Sequence, residues 1–416
     1  MKYYSTNGQA PLATLEKAVV KGLAEDRGLY MPQTIKPLPK EFFEQCDRMT
    51  FQEVACAVAD SFFGEDVERE ALHGIVRDTL SFDCPVVRVT DSIYSLELFH
   101  GPTLAFKDVG ARFMARLLQY FIKDLKDPKD LKDPKDVNVL VATSGDTGSA
   151  VANGFLGVEG IRVYVLYPKG KVSPIQECQF TTLGRNITAI EVDGVFDDCQ
   201  ALVKSAFMDA ELNAHMRLTS ANSINVARFL PQAFYYFWAY AQMKRLGLEQ
   251  QLVCCVPSGN FGNICAALFG HRMGLPIKRF IAANNANDVF FQFLQTAQYC
   301  PRPSVQTLAN AMDVGDPSNF ARIWDLYGKS HEAVTALISG ATYKDEDIAR
   351  IMQECYRETG FFCETAHPAK FKEKVDAILS ADIAIPERLQ AFMKGEKQSV
   401  PMSKQFADFK QYLMSR

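Results

Sequence analysis

The chain is predicted to be an α/β protein whose parallel sheets are covered by helices, and two observations carry that prediction. The first is a pair of segments built alike, each an apolar strand, a Ser-Gly-Asp/Asn-X-Gly loop and then a helix. Val137–Ala142 runs into Ser144-Gly145-Asp146-Thr147-Gly148, and residues 252–256 run into Ser258-Gly259-Asn260-Phe261-Gly262. The second is a regular alternation of short apolar strands and helical patterns from about residue 100, the signature of a parallel sheet with helices on both faces.

Before that alternation, residues 1–98 mix helical periodicity with proline-rich connections such as 32–39. Phe51–Phe63 has the apolar spacing of an amphipathic helix. This part reads as an N-terminal domain or extension, with residues 99–416 forming a second, larger region. The alternation pairs strand 137–142 with helix 150–155, strand 162–167 with helix 175–182, and strand 187–192 with helix 198–209. A second α/β run covers 252–284, so two interleaved α/β subdomains with a central cleft are expected, the smaller spanning approximately 110–225. Residues 229–241 are aromatic and apolar but too short to span a membrane, and they contain Pro231 and Gln232, which suits a buried core helix. The sequence Asp-Leu-Lys-Asp-Pro-Lys occurs twice in tandem over 124–135. Its charge and prolines mark a surface loop lengthened by duplication.

Composition narrows the function. With 416 residues, 48% hydrophobic, 23% charged and a net charge of −4, the chain has no excess of basic residues with which to grip nucleic acid. Eleven cysteines without a C-x-x-C pair argue for reduced thiols and a cytoplasmic location rather than a disulfide framework or zinc site. The first residues lack the apolar core of a secretory signal. The sequence does not distinguish a monomer from a homo-oligomer.

Each Ser-Gly loop places backbone N–H groups and a helix N-terminus at the end of a strand, where glycine lets an anion approach the main chain. Neither loop has the G-x-x-x-x-G-K-[ST] spacing of a nucleotide triphosphate loop or the G-x-G-x-x-G spacing of a dinucleotide fold. Either loop alone is an ordinary capped strand-to-helix turn. The reading sharpens at His100-Gly101-Pro102-Thr103-Leu104-Ala105-Phe106-Lys107-Asp108, where Lys107 is embedded in apolar sequence. Apolar surroundings disfavour the charged form of a lysine and free its amine as a nucleophile or base. An imine-forming lysine and a phosphate cradle are together what pyridoxal phosphate requires of a protein.

The lysine segment resembles the corresponding motif of the threonine synthase family, pyridoxal-phosphate enzymes of fold type II, the tryptophan-synthase-β group. The likeness continues through Gly28-Leu29-Tyr30-Met31-Pro32, Ala142-Thr143-Ser144-Gly145-Asp146-Thr147-Gly148, residues 167–174, Ser220-Ala221-Asn222-Ser223-Ile224-Asn225, residues 256–263, and Thr365-Ala366-His367-Pro368-Ala369-Lys370-Phe371. The resemblance implies conversion of O-phosphohomoserine and water to threonine and phosphate. It implies that Lys107 holds the cofactor and moves protons at the substrate's α and β carbons. Gly259, Asn260, Phe261, Gly262 and Asn263 would bind the cofactor phosphate, with Thr365 offering its hydroxyl to the pyridine nitrogen and Asp146 near the cofactor. Thr143, Ser144, Gly145, Asp146 and Thr147 would bind the substrate carboxylate, with Thr147 near the substrate phosphate. Ser223, Arg228 and Asn260 are further candidates for that phosphate, since a guanidinium fork suits it.

No catalytic role is expected of His100 or His367, the latter reading as the orienter of a turn before Pro368. Lys169 and Lys171 read as solvated loop residues. Two departures from the family pattern stand out. Asp146 occupies a place where many fold-group relatives carry Asn, and an ionised carboxylate has no proton to donate. Residues 356–360 also run almost directly into the Thr365 motif where the family usually has a further helix-containing stretch. Two alternatives remain: a phospholyase that releases a keto acid, ammonia and phosphate, and a non-catalytic relative.

Overall fold

The computed structural model describes residues 1–124, 136–307, 309–342 and 359–416. Most of the tandem repeat and residues 356–358 of the short connection before Thr365 lie outside the described residues. A small antiparallel ribbon, β1 (Tyr3–Ser5) with β2 (Tyr30–Pro32), opens the chain. Further along the chain the helix Phe51–Phe63 has the expected bounds. Thr50 and Glu53 close a capping box at its start, and its Phe51, Val54, Val58, Phe62 and Phe63 face is buried.

One sheet has six strands in the order β11 (Ile338–Thr342), β10 (Ile277–Asn284), β9 (Leu252–Pro257), β12 (Gly360–Glu364), β4 (Ile93–Glu97) and β3 (Val86–Arg88). Every pairing is parallel except β3 with β4. The other has five parallel strands in the order β13 (Val400–Met402), β7 (Ile187–Val192), β6 (Ile161–Pro168), β5 (Val137–Ala142) and β8 (Arg217–Ser220). All six residues of β5 are buried, as expected of a parallel strand covered on both faces.

Two features of this topology run across the sequence order. Strands β3 and β4, which precede residue 98, pair into the six-stranded sheet. Conversely, β13 comes from the far end of the chain and extends the five-stranded sheet. Short β-strands carry little periodic signal, and which sheet they join is decided by long-range packing. The aromatic stretch near 229–241 is the buried core segment expected of it. Pro231 sits in a 3₁₀ turn ahead of the helix Ala233–Arg245, from which Phe234, Tyr235, Tyr236, Phe237 and Trp238 enter the core.

Candidate active site

The C-terminal ends of β5, β8, β9 and β12 converge on one cavity, and the helix Lys107–Asp124 begins at its wall. Lys107, Thr143, Ser144, Asp146, Thr147, Ser223, Arg228, Gly259, Asn260, Phe261, Gly262, Asn263 and Thr365 all line it. Among the residues expected at the site, only Gly145 stands behind the lining. It turns the chain at φ 140°, and a Cβ there would lie 2.5 Å from Gln176.

Lys107 is placed by pairing between two loops. Ala105 bridges Ala366, the Phe106 N–H donates to the Thr365 carbonyl at 2.8 Å, and the Tyr235 hydroxyl donates to the Phe106 carbonyl. The lysine then starts its helix, with Nζ 5.6 Å from the Phe106 ring centre. Burial lowers its pKa from the ordinary 10.5 to about 8, with Asp146 pulling it up and Arg228 and Lys370 pressing it down. A minor fraction of its amine, on the order of a tenth, is therefore already neutral near pH 7.

In the first loop the Thr143 hydroxyl accepts from the Gly145 and Gly148 N–H groups at 2.9 and 2.8 Å, so its oxygen braces the turn. Asp146 heads the helix after the loop and is buried. Its Oδ1 accepts from Lys370 Nζ at 2.6 Å and from Gln176 Nε2 at 2.9 Å. Burial pushes the Asp146 carboxyl up, but Lys370, Lys107 and Gln176 together hold it below its ordinary value. It faces the cavity as a carboxylate already taken by a lysine.

The second loop has the geometry of an anion cradle. Phe261 adopts left-handed backbone angles at φ 62° immediately before the helix Gly262–Arg272. A Cβ on Gly262 would lie 2.9 Å from the Ser223 Cβ, and one on Gly259 would lie 2.8 Å from the Met312 Cα. Asn263 Oδ1 accepts from the buried Tyr236 hydroxyl at 2.6 Å, while its Nδ2 is buried with no partner among the described residues. A donor in that state implies a missing acceptor.

Beside this cradle Asn260 is committed to the protein, donating to Ser223 Oγ at 2.8 Å and accepting the Ser318 N–H at 2.7 Å. Asn319 also donates to Ser223 Oγ, at 3.0 Å. With both lone pairs of that oxygen taken, the serine's own proton is left to donate elsewhere. Arg228 is only 2% exposed. Among the described residues the one hydrogen bond of its guanidinium is a long one, 3.4 Å to the Lys107 carbonyl, and Nε has no partner. Burial lowers it to about 10, which leaves it charged at neutral pH.

Several supporting residues escaped the sequence reading. Lys370 was visible in the Thr365 motif, but nothing local marks it as buried. Tyr236 orients Asn263. Arg322, buried over the Phe229 ring, donates to the Ser223, Ile224 and Tyr30 carbonyls and ties the N-terminal ribbon to the site. Residues 310–314, Phe196 and Gln200 complete the cavity wall. His367 Nδ1 accepts the Ala369 N–H, which is the turn-orienting role expected of it. His100 pairs with Glu97 at 2.6 Å.

Comparison with known proteins matches residues 87–370 to the family described as pyridoxal-phosphate dependent enzyme, and residues 2–80 to the family described as threonine synthase N terminus. The chain is 41% identical to the threonine synthase of Serratia marcescens, covering 100% of this chain and 99% of that protein. It is also 41% identical to the threonine synthase of Escherichia coli, covering 94% of each. The crystal structure of the Escherichia coli threonine synthase superposes with a TM-score of 0.90 at 39% identity, covering all of both chains. A pyridoxal-phosphate-bound threonine synthase from Brucella melitensis gives 0.88 at 31% identity, covering 100% of this chain and 99% of that one.

Proposed function

The chain belongs to the threonine synthase family of pyridoxal-phosphate-dependent enzymes, and from that membership we propose that it converts O-phosphohomoserine and water to L-threonine and phosphate in the cavity around Lys107. The observation that carries the assignment of the site is the pairing of two unmet needs: a buried lysine amine of lowered basicity, and buried donors on Asn263 Nδ2 and Arg228 Nε that lack acceptors among the described residues. An aldehyde-bearing phosphate answers the lysine and Asn263, and a second phosphate answers Arg228.

The residues fit the cofactor on that count. Gly259 to Asn263, with the N-terminus of the helix Gly262–Arg272, would hold its phosphate, Lys107 its aldehyde carbon, and Thr365 its ring nitrogen. When bound, pyridoxal phosphate supplies an electron sink for negative charge developing on substrate carbon. The Lys107 amine would take a proton from the substrate α carbon and serve again at the β carbon. The N–H groups at the head of the Asp146–Gly154 helix, with Ser144 and Thr147, would orient the substrate carboxylate. The Arg228 fork and the Ser223 hydroxyl would bind the phosphate that leaves from the γ carbon. Water enters last, at the β carbon, so the enclosing wall has to exclude it during the earlier steps. The absence of disulfides among ten described cysteines suits a reaction run in the cytoplasm.

The test is to incubate purified, cofactor-loaded protein with O-phosphohomoserine and to quantify phosphate, threonine and ammonia together. Equal release of phosphate and threonine is expected. Ammonia with phosphate but no threonine would replace this reading with a phospholyase, and none of the three would end the enzymatic assignment.

A further inference from the structure

Lys370 is a lysine with no exposed side-chain surface. Its ammonium donates to Asp146 Oδ1 at 2.6 Å and to the Thr103 carbonyl at 2.9 Å, and its own carbonyl accepts from Ser173 at 2.8 Å. It thereby joins three segments that surround the reacting lysine: the loop that leads into Lys107, the anion loop that begins at Thr143, and the stretch that carries Thr365. A buried lysine is rare unless its charge has a use. This one is matched to the single carboxylate that both lines the cavity and acts electrostatically on Lys107. No hydrogen bond or ion pair joins Lys107 Nζ to a described residue, although Asp146 faces the same cavity.

We propose that Lys370 is a positioning residue for Lys107, acting through Asp146: it occupies the carboxylate that would otherwise pair with the Lys107 amine. This deepens the reading of Lys107 as the reacting amine and rests on it. The charged groups facing Lys107 are Asp146 from the helix Asp146–Gly154, Arg228 from the helix Val226–Phe229 and Lys370 from the turn Pro368–Phe371. Asp108, its neighbour on the same helix, is turned away and held by the Thr103 N–H and hydroxyl at 2.9 and 2.6 Å. Removing the Lys370 charge leaves Asp146 free to pair with Lys107, which stabilises the ammonium. Removing the Asp146 charge has the opposite effect, because Arg228 and Lys370 then act unopposed.

The two substitutions are therefore expected to move one observable in opposite directions, which loss of packing alone does not do. The observable is the pH dependence of Lys107 acylation by acetic anhydride in the full-length chain freed of cofactor, read by mass spectrometry of the peptide that contains it. The wild-type midpoint is expected near 8. Lys370→Met is expected to raise it and Asp146→Asn to lower it. The double variant K370M/D146N, which removes both members of the Lys370–Asp146 pair and so strands neither, protects against a folding failure of the single lysine variant and is expected between the two. In the cofactor-loaded protein the pH of half-maximal phosphate release should shift in the same directions. Midpoints that stay at the wild-type value, or that move together, overturn the role of Lys370. Because the labelling uses neither cofactor nor substrate, its outcome is separate from that of the incubation with O-phosphohomoserine.

Discussion

Lys107 carries a stability penalty that the chemistry proposed for it requires. Holding its pKa near 8 when the unfolded chain has 10.5 corresponds to roughly 3 kcal/mol of destabilisation. The sign comes from proton counting. At pH 7 both states are protonated and the penalty is complete; between 8 and 10.5 the folded state has lost the proton that the unfolded state keeps, so stability rises with pH and the penalty disappears. The cofactor-free Lys107→Met variant should therefore be more stable than wild type at pH 7, by up to about 3 kcal/mol, with the gain fading above pH 8. Denaturant unfolding at pH 7 and pH 10 checks this, and a variant less stable than wild type at pH 7 would show that the buried amine is not strained. Arg228 differs, since its guanidinium lacks an anion rather than a proton. Charge-assisted hydrogen bonds contribute about 1.5–3 kcal/mol, so Arg228→Gln should lower kcat/KM for O-phosphohomoserine by about 10–100-fold. The cofactor's visible absorption should stay in place, and its loss would assign Arg228 to the cofactor instead.

At the scale of elements, the site is a set of strand ends whose loops are stapled together. Thr143 closes the first loop on itself, whereas Ser223 joins the second loop to the end of β8 through Asn260 and Asn319. A Cβ on Gly262 would meet the Ser223 Cβ at 2.9 Å, so Gly262→Ala would push the helix start away from Ser223. Overpacking of this kind costs about 1–3 kcal/mol, and the N–H groups it displaces are those proposed for the cofactor phosphate. The variant should bind pyridoxal phosphate at least about tenfold more weakly in equilibrium dialysis, and unchanged affinity would remove the loop from the cofactor site. The same contrast explains what the sequence made legible. Strands β5 and β7 and the helix Phe51–Phe63 were readable to the residue, because apolar period and punctuation by glycine or a Thr cap are local signals. The joining of β4 to β12, the alliance of β13 with β7, and the burial of Lys370 were not, since each depends on partners some 200 residues or more away in the chain. Gly145 shows the limit at finer grain: its motif was visible, but that it turns behind the cavity while its neighbours line it is a matter of backbone angle.

For the whole molecule, the cavity takes its walls from both sheets, with β5 and β8 on one side and β9 and β12 on the other. A ligand held at once by Lys107, the 259–263 loop and Thr365 should therefore stabilise the folded chain as a unit. Binding to the folded state alone adds about 2.7 kcal/mol at a hundredfold excess over Kd. Pyridoxal phosphate should accordingly raise the thermal midpoint of the cofactor-free protein in a single cooperative transition. The phosphate cradle and the lysine contribute separately to that gain, which distinguishes them in experiment. In Lys107→Ala, pyridoxal phosphate should still raise the midpoint, by less than in wild type, because Asn263 and the helix N-terminus remain to receive the phosphate. Pyridoxal lacking the phosphate should give a small shift in wild type and none in Lys107→Ala. Differential scanning calorimetry with both compounds on both proteins makes the comparison within each variant, so the intrinsic stabilisation expected from removing the buried amine cancels. Equal shifts from pyridoxal and pyridoxal phosphate would mean that the second Ser-Gly loop does not hold the phosphate, and would leave Asn263 without its acceptor.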